Sequence, residues 1–241
     1  MPMPDSEVER VLAVAAHPDD IDFGASGTMA TFVDTGIEVT YLICTYGDQG
    51  GFDETPREEM PVLREAEQRA AAAAVGVTDV RFLTGYRDGW LEPTFELQRD
   101  IVRVIRQVRP RRMLVPSPER WWERIHASHP DHLACGEAAI RAIYPAARNP
   151  FAWPELITDE GLEPWTVDET WLMAHPASAH GVDITDVFDR KVAALTAHAS
   201  QTGRMGDQLA TMLAEWGHAN AVSVGLSADR MAETFKVVLT A

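Results

Sequence analysis

The chain has 241 residues, of which 46% are hydrophobic, and its 37 acidic and 21 basic side chains give a formal net charge of -16. This hydrophobic content is sufficient for a packed core, and the acidic balance argues against a nucleic-acid partner, which requires clustered lysine and arginine. No apolar run reaches the roughly 18 residues of a membrane span, so no membrane partner is expected. The polar, acidic N-terminus is unlike a secretory signal, which favours a cytoplasmic protein.

The first half of the chain alternates strand and helix patterns, which is typical of a parallel sheet with crossover helices. Strands are predicted over residues 11–16, 38–45, 79–83 and 113–115, and helices over residues 24–33, 61–75 and 95–108. Because an open parallel sheet binds ligands where the strand order reverses, a 3-2-1-4-5 order would place that point between the first and fourth strands.

The second half is less regular, but it contains no internal repeat and no low-complexity linker. The prediction there is a helix over 130–143, a surface loop over 144–164, a strand over 169–174, helices over 187–200 and 207–215, and a strand over 235–239. The fold class is therefore α/β, a single Rossmann-like domain over residues 1–241, with a mainly parallel sheet and helices on both faces.

Two composition features have simple interpretations. Cys44 and Cys135 lie far apart in apolar surroundings and outside any CxxC spacing, which favours buried free thiols over a disulfide or a ligand pair. The basic stretch 103–112 is interpreted as the solvated face and end of a helix rather than as a nucleic-acid patch.

A histidine and two adjacent acids, His17, Asp19 and Asp20, directly follow the first predicted strand in the sequence HPDD. Unpaired acids are costly to bury and are usually stabilised by a metal or a partner. The alternative is a turn with solvated acids. The preceding strand and a second histidine motif, HPDH at 129–132, favour a metal site.

Catalytic zinc takes three protein ligands from His and Asp or Glu and keeps one position for water. His17, Asp20 and His132 can supply that set, because the strands that precede the two motifs are neighbours in the predicted order. Asp19 then remains available as a general base towards the bound water. Such a donor set also accepts other divalent ions.

His129 and His132 lie three residues apart at a helix start, so both side chains are on one face. His129 is free to reach a substrate carbonyl or leaving group, where an imidazolium would stabilise an oxyanion or donate a proton. The alternative is a pair of capping or surface histidines. Asp131 between them is expected to cap the helix or to brace a histidine ligand.

The sequences AHPDDIDFGASGT (16–28) and HPDH (129–132), each after a strand, resemble the zinc-dependent N-deacetylases of the LmbE/PIG-L family. Further similarity extends over TYGDQG at 45–50, Arg64 and Glu67, the pair at 87–88, and a late segment at 184–201. The resemblance covers roughly residues 10–201 and implies an LmbE-like fold.

Carried over by position, the resemblance implies zinc on His17, Asp20 and His132. It also implies Asp19 as the base and His129 as the electrophilic or acid partner. An acyl group, with acetyl expected, would then be removed from the nitrogen of an amino-sugar-containing small molecule.

The resemblance further implies that Arg64 and Asp88 contact sugar hydroxyls. For Arg64 the alternative is a surface salt bridge on an amphipathic helix, and for Asp88 an ordinary turn acid. His198, in the late segment, either approaches the surroundings of the metal or simply packs in a helix. One departure concerns Ala127, because a thiol-sugar deacetylase of the family has tyrosine two residues before the first histidine of HPDH.

Other functions remain open at this point. The nearest is an amidase of the same mechanism that cleaves a larger thiol-sugar conjugate, and a non-catalytic sugar-binding protein is a further alternative. A metal phosphohydrolase is disfavoured, because it would need more carboxylates than these motifs supply and a cluster of basic residues to bind the phosphate. Four loop tryptophans are candidates for a pocket rim or for the interface of a homo-oligomer: Trp90, Trp121, Trp122 and Trp153.

Overall fold

A computed structural model describes residues 2–51 and 55–241 of the chain. In this part of the chain the strands form one seven-stranded sheet in the order β3-β2-β1-β4-β5-β7-β6. The strands are β1 (Arg10–Ala15), β2 (Glu38–Ile43), β3 (Asp79–Phe82), β4 (Arg112–Pro116), β5 (Glu169–Met173), β6 (His180–Asp183) and β7 (Ala232–Leu239). The first five are parallel to one another, whereas β7 pairs antiparallel with both β5 and β6.

Helices cover both faces of the sheet, as predicted. They are α1 (Asp20–Asp34), α2 (Met60–Ala74), α3 (Phe95–Val108), α4 (Pro130–Arg141), α5 (Glu155–Thr158), α6 (Phe188–Ala197), α7 (Ala199–Thr202) and α8 (Gln208–Ser223). Helices α1, α2 and α6 contribute to one apolar cluster, and α3 and α4 to the other. None of the helices described here is both long and apolar enough for a bilayer crossing.

Strand β1 is the centre of the fold because it is buried on both sides. Its residues alternate between the two clusters: Val11, Ala13 and Ala15 pack in one, and Leu12 and Val14 in the other. Such a strand is an almost continuous apolar run in sequence, which is why it could be predicted. It pairs with β2 on one edge and with β4 on the other.

The 3-2-1-4-5 strand order is confirmed. The chain crosses from β3 on one side of β1 to β4 on the other, so the switch point lies between β1 and β4. The HPDD segment leaves β1 at this point, and the HPDH segment at the start of α4 follows β4. Topology therefore brings the two histidine motifs to one edge of the sheet.

Several predicted boundaries differ from the structure. Helix α1 begins at Asp20, four residues before the predicted start, because acids in the first turn suit the positive end of the helix dipole. The helix predicted over 187–200 is broken at His198 (φ -79°, ψ 55°) into α6 and α7. The predicted loop 144–164 contains α5. Strand β6 was missed because HGVD contains a glycine and little apolar content.

The interpretation of the basic stretch 103–112 as a solvated face is wrong for two of its arginines. Arg106 is 2% exposed and donates to the carbonyl oxygens of Ala147 and Asn149, so it holds the chain after α4. Arg112 is fully buried and its Nε lies 2.6 Å from a carboxylate oxygen of Glu169. These two arginines connect parts of the interior, and hydrogen bonds to carbonyl and carboxylate oxygens offset the cost of burying their charges.

Cys44 and Cys135 are free and buried, which confirms the sequence prediction. Their sulfur atoms lie 3.7 Å apart, well beyond the roughly 2.05 Å of a disulfide bond. The pair packs in the same apolar cluster as α3 and α4, where the thiols act as small apolar side chains.

Gly136 sets the distance between α4 and β4. A Cβ at this position would overlap the carbonyl oxygen of Pro116 and lie 3.0 Å from the nitrogen of Pro118. Because the obstacle is backbone, it cannot move aside as a flexible side chain would. The glycine therefore allows the helix that carries HPDH to lie directly against the strand end.

We expect Gly136→Ala to lower the free energy of unfolding by about 1–3 kcal/mol through overpacking. The matched control is Gly203→Ala, because a Cβ there meets nothing within 4 Å. Urea titrations of both variants measure the difference. A Gly136→Ala protein as stable as the control would contradict the close approach.

Candidate active site

The ring of His17 lies at the end of β1 among three carboxylates. Its Nε2 is 3.0 Å from Oδ1 of Asp88 and 3.1 Å from Oδ2 of Asp131, and its Nδ1 is 3.6 Å from Oδ2 of Asp20. Because an ionised carboxylate only accepts hydrogen bonds, Nε2 is the nitrogen that carries the proton. Burial favours the neutral ring, but the hydrogen bond to Asp131, the nearby charge of Asp20 and the contact with Asp88 raise the pKa of His17 well above its usual value.

Asp20 connects the two histidine motifs. Its Oδ1 lies 3.0 Å from Nε2 of His132, and its Oδ2 accepts a hydrogen bond from the backbone N–H of His17 at 2.9 Å. Burial acts against its charge, but the positive charge of His132, a hydrogen bond from His132 and the nearby ring of His17 lower the pKa of Asp20 well below its usual value. Asp20 is therefore an ionised carboxylate in contact with two imidazoles.

His129 is the exposed member of the cluster. Its ring centre is 5.1 Å from that of His17 and 5.3 Å from that of His132. Partial burial, together with the charges of His17 and His132, lowers the pKa of His129. The role of His129 as an imidazolium that stabilises an oxyanion or donates a proton stays a prediction from the sequence. Its Nδ1 accepts from the backbone N–H of Asp131 at 3.2 Å, which places the remaining proton on Nε2.

The residues present fit a divalent metal ion by their chemistry. His17, His129 and His132 each bring a ring nitrogen within 4.8 Å of the other two, and the Asp20 carboxylate contacts two of these rings. Imidazole nitrogens and a carboxylate are the donors that zinc takes in catalytic sites. A histidine that binds a metal usually donates its other ring N–H to a carboxylate, and Asp131 is that carboxylate for His17. It keeps the proton on Nε2 and leaves the lone pair of Nδ1 free to bind a metal.

Asp19 lies beside this cluster and is held by α2. Its Oδ2 accepts from Arg64 at 2.8 Å, and its backbone N–H donates to Oε1 of Gln68 at 2.9 Å. Its backbone is left-handed (φ 83°), which is unfavourable for a residue with a Cβ. Burial raises the pKa of Asp19 to about 6, against the opposing charge of Arg64.

Arg64 and Asp88 both lie at the site, but as internal contacts. Arg64 is 4% exposed and also donates to the carbonyl oxygens of Pro18 and Gly47, so the alternative of a surface salt bridge is wrong. Asp88 is 6% exposed, and its Oδ2 accepts from the backbone of Gln49 at 2.9 Å. The TYGDQG loop after β2 thus positions the carboxylate that contacts His17.

His198, left open by the sequence, packs behind the site. It is fully buried where α6 ends, and its Nε2 lies 2.9 Å from Oδ2 of Asp22. Sequence reasoning assigned no role to Asp22 or to Gln68. The signals that could have found them are the third acid of HPDDID and the spacing of one helical turn between Arg64 and Gln68.

The tryptophans separate into different classes. Trp90 and Trp122 are 68% and 74% exposed, with the guanidinium groups of Arg87 and Arg120 over their rings. Trp153 instead packs against the apolar cluster that contains α3 and α4. Burial lowers the pKa of His132, but the charge of Asp20 and, more weakly, the backbone of Ala127 at the position of the family tyrosine raise it.

Comparison with known proteins agrees with this geometry. Residues 12–143 match the family model described as PIG-L: GlcNAc-PI de-N-acetylase. The chain belongs to the PIG-L family. The diacetylchitobiose deacetylase of Thermococcus kodakarensis is 34% identical over 199 residues, which cover 82% of this chain and 72% of that protein.

Two further PIG-L relatives support the assignment. The probable N-acetyl-alpha-D-glucosaminyl L-malate deacetylase 2 of Bacillus cereus is 35% identical over 81% of this chain and 85% of that protein. The structure of N,N'-diacetylchitobiose deacetylase from Pyrococcus horikoshii superposes with a TM-score of 0.84 at 28% identity, covering 98% of this chain and 86% of that one. These relatives are named as deacetylases of N-acetylated amino sugars.

We expect Asp131→Asn to weaken divalent metal binding by about 10–100-fold, because an amide no longer fixes the His17 tautomer as a carboxylate does. The control is Asp186→Asn, since Asp186 is 89% exposed and 3.8 Å from its nearest arginine nitrogen. Competition with a zinc-sensitive chelating dye measures the affinities. Equal affinity in both variants would contradict the bracing role of Asp131.

Proposed function

We propose that the protein removes the N-acetyl group from an amino-sugar-containing small molecule in a metal-dependent hydrolysis. The observation that carries the proposal is the joining of the HPDD and HPDH motifs at the switch point, with Asp20 in contact with both His17 and His132. The deacetylase relatives support the substrate class.

In this proposal His17, Asp20 and His132 hold a divalent ion, with zinc as the first candidate. The ion would supply Lewis-acid polarisation of the amide carbonyl and lower the pKa of a coordinated water molecule. His17 contributes through Nδ1, because its Nε2 proton is bound to Asp88 and Asp131. His129, as the exposed histidine, is left to face the substrate.

Asp19 is the general base of the proposal. Arg64 holds Oδ2, so Oδ1 is the oxygen assigned to receive the proton of the attacking water. The Nε2–H of His129 donates a hydrogen bond to the carbonyl oxygen as negative charge develops on it. The proton taken by Asp19 is then delivered to the departing amine. The second proton of the water leaves with the acid and passes to the free amine, so amide plus water gives acetate and the protonated amine.

Sugar recognition is proposed to involve Arg64 and Asp88, as the family resemblance implies. Both are almost fully buried, so direct contact with a hydroxyl would use only the edges of these groups. Trp90, two residues after Asp88 and 68% exposed, is placed to offer an aromatic face at the rim.

The function is tested with a panel of N-acylated substrates: N-acetylglucosamine, diacetylchitobiose, a GlcNAc glycoside with an acidic aglycone, and a thiol-sugar conjugate. We expect acetate and free amine from at least one N-acetyl sugar, with Asp19→Ala lowering kcat about 10²–10⁴-fold. Exclusive cleavage of the thiol-sugar conjugate would instead show the larger-conjugate amidase.

An Asp19→Ala protein that binds the sugars and keeps its full biological effect would support the non-catalytic alternative. The matched control is Asp34→Ala on the outer end of α1, where Asp34 is 53% exposed and paired with Arg190. That variant is expected to keep the kcat of the unmodified chain.

Removal of the metal by dialysis against a chelator is expected to abolish turnover, and addition of zinc to restore it. Far-UV circular dichroism should change little, because the seven-stranded sheet and its two apolar clusters do not include the ligands. Undiminished turnover after verified metal removal would contradict the metal-dependent mechanism.

A further inference from the structure

Asp19 has a left-handed backbone conformation, which is uncommon outside glycine. Its φ of 83° lies in the left-handed region, which residues with a Cβ adopt far less often than glycine. Such a conformation persists only where surrounding contacts determine it. Two side chains of α2 contact the peptide between Pro18 and Asp19. Arg64 donates to the Pro18 carbonyl oxygen at 2.7 Å, and the Asp19 N–H donates to Oε1 of Gln68 at 2.9 Å.

Gln68 is fully buried on α2, one turn after Arg64. Its side-chain amide has one donor end and one acceptor end, and both are used. Nε2 donates to Oδ2 of Asp22 at 2.7 Å, while Oε1 accepts from Asp19. Because the Asp22 carboxylate can only accept, it orients the amide and points the oxygen at Asp19.

Asp22 is itself oriented from the other side. The same Oδ2 lies 2.9 Å from Nε2 of His198, and both side chains are fully buried. His198 comes from the break between α6 and α7, so a residue far along the chain fixes the acid in α1. A continuous set of contacts therefore runs from His198 through Asp22 and Gln68 to the backbone of Asp19.

The division of labour on α2 follows from these contacts. Arg64 binds the Asp19 carboxylate and the carbonyl oxygen of Pro18, whereas Gln68 accepts the N–H of Asp19. Loss of the Gln68 oxygen would leave the part-buried N–H of Asp19 without an acceptor, which is destabilising. The backbone would then relax from the left-handed region and turn the carboxylate away from the histidines.

We propose that Gln68, oriented by Asp22 and His198, is a positioning residue that holds Asp19 in the geometry needed for proton transfer. The inference rests on the proposed function, because it takes Asp19 as the base. It assigns to Gln68 an effect on turnover that acts only through Asp19.

The test compares Gln68→Met, which keeps the side-chain length but neither hydrogen bond, with the matched control Gln98→Met. Gln98 is 7% exposed on α3 and donates to the carbonyl oxygen of Arg141 at 2.9 Å, so its replacement also removes a buried amide. We expect Gln68→Met to lower kcat about 100-fold, the effect of a displaced catalytic group. The KM and the zinc content of Gln68→Met should stay within twofold of those of the unmodified protein. Gln98→Met should have the kcat of the unmodified protein.

A double-mutant cycle separates positioning from a general structural effect. In the Asp19→Ala background, Gln68→Met should cause no further loss of kcat, because the residue that it positions is gone. The same 100-fold loss in that background, or an unchanged kcat for Gln68→Met alone, would overturn the inference and leave the proposed function standing. An Asp19→Ala protein with unchanged kcat would overturn both.

A crystal structure of Gln68→Met gives a readout that does not depend on activity. We expect the φ of Asp19 to leave the left-handed region, or its carboxylate to lose the Arg64 contact. An Asp19 that keeps both in this variant would show that Arg64 alone is sufficient, which would overturn the role of Gln68.

Discussion

Three carboxylates surround the buried ring of His17 at the end of β1, and the rest of the site depends on how these charges are compensated. Asp88 and Asp131 accept the Nε2–H of His17. Asp20 faces Nδ1 of the same ring and also contacts His132. Like charges gathered at partly buried positions require hydrogen-bond donors. The loops after β2 and β3 supply them as backbone N–H groups of Gln49 to Asp88 and of Gly89 to Asp131.

The same constraint explains the two layers of the site. Groups facing the cluster hold ionisable side chains at short range, and groups behind it fix their orientation. On the α4 side Asp131 both braces His17 and accepts from Leu91, so one carboxylate ties the motif to the loop after β3. On the α2 side Arg64 and Gln68 hold Asp19. Each face of the sheet therefore contributes one helix to positioning the HPDD segment.

The sequence predicted much of this arrangement, and the errors have physical causes. The apolar run of β1, the glycine stops and the amphipathic α3 located the first four strands along the chain, and the general topology of open α/β sheets supplied their expected order. The edge strand β6 and the extent of α8 depend on packing against β7 rather than on local pattern. The sequence pattern predicts solvated side chains for Arg106 and Arg112. It fails there because the burial of an arginine depends on oxygen acceptors far along the chain, which a charge count does not reveal.

The sequence by itself determined which chemistry is available, because HPDD and HPDH each follow a strand at the switch point and supply imidazole and carboxylate donors. Only the tertiary structure decided which of these groups contact one another. Whether an acid braces a histidine, bridges two of them or remains free for a proton depends on contacts between residues far apart in the chain, such as His17 with Asp131 and Asp22 with His198. Spacing along a chain specifies neighbours in sequence, whereas orientation is fixed by hydrogen bonds across the fold.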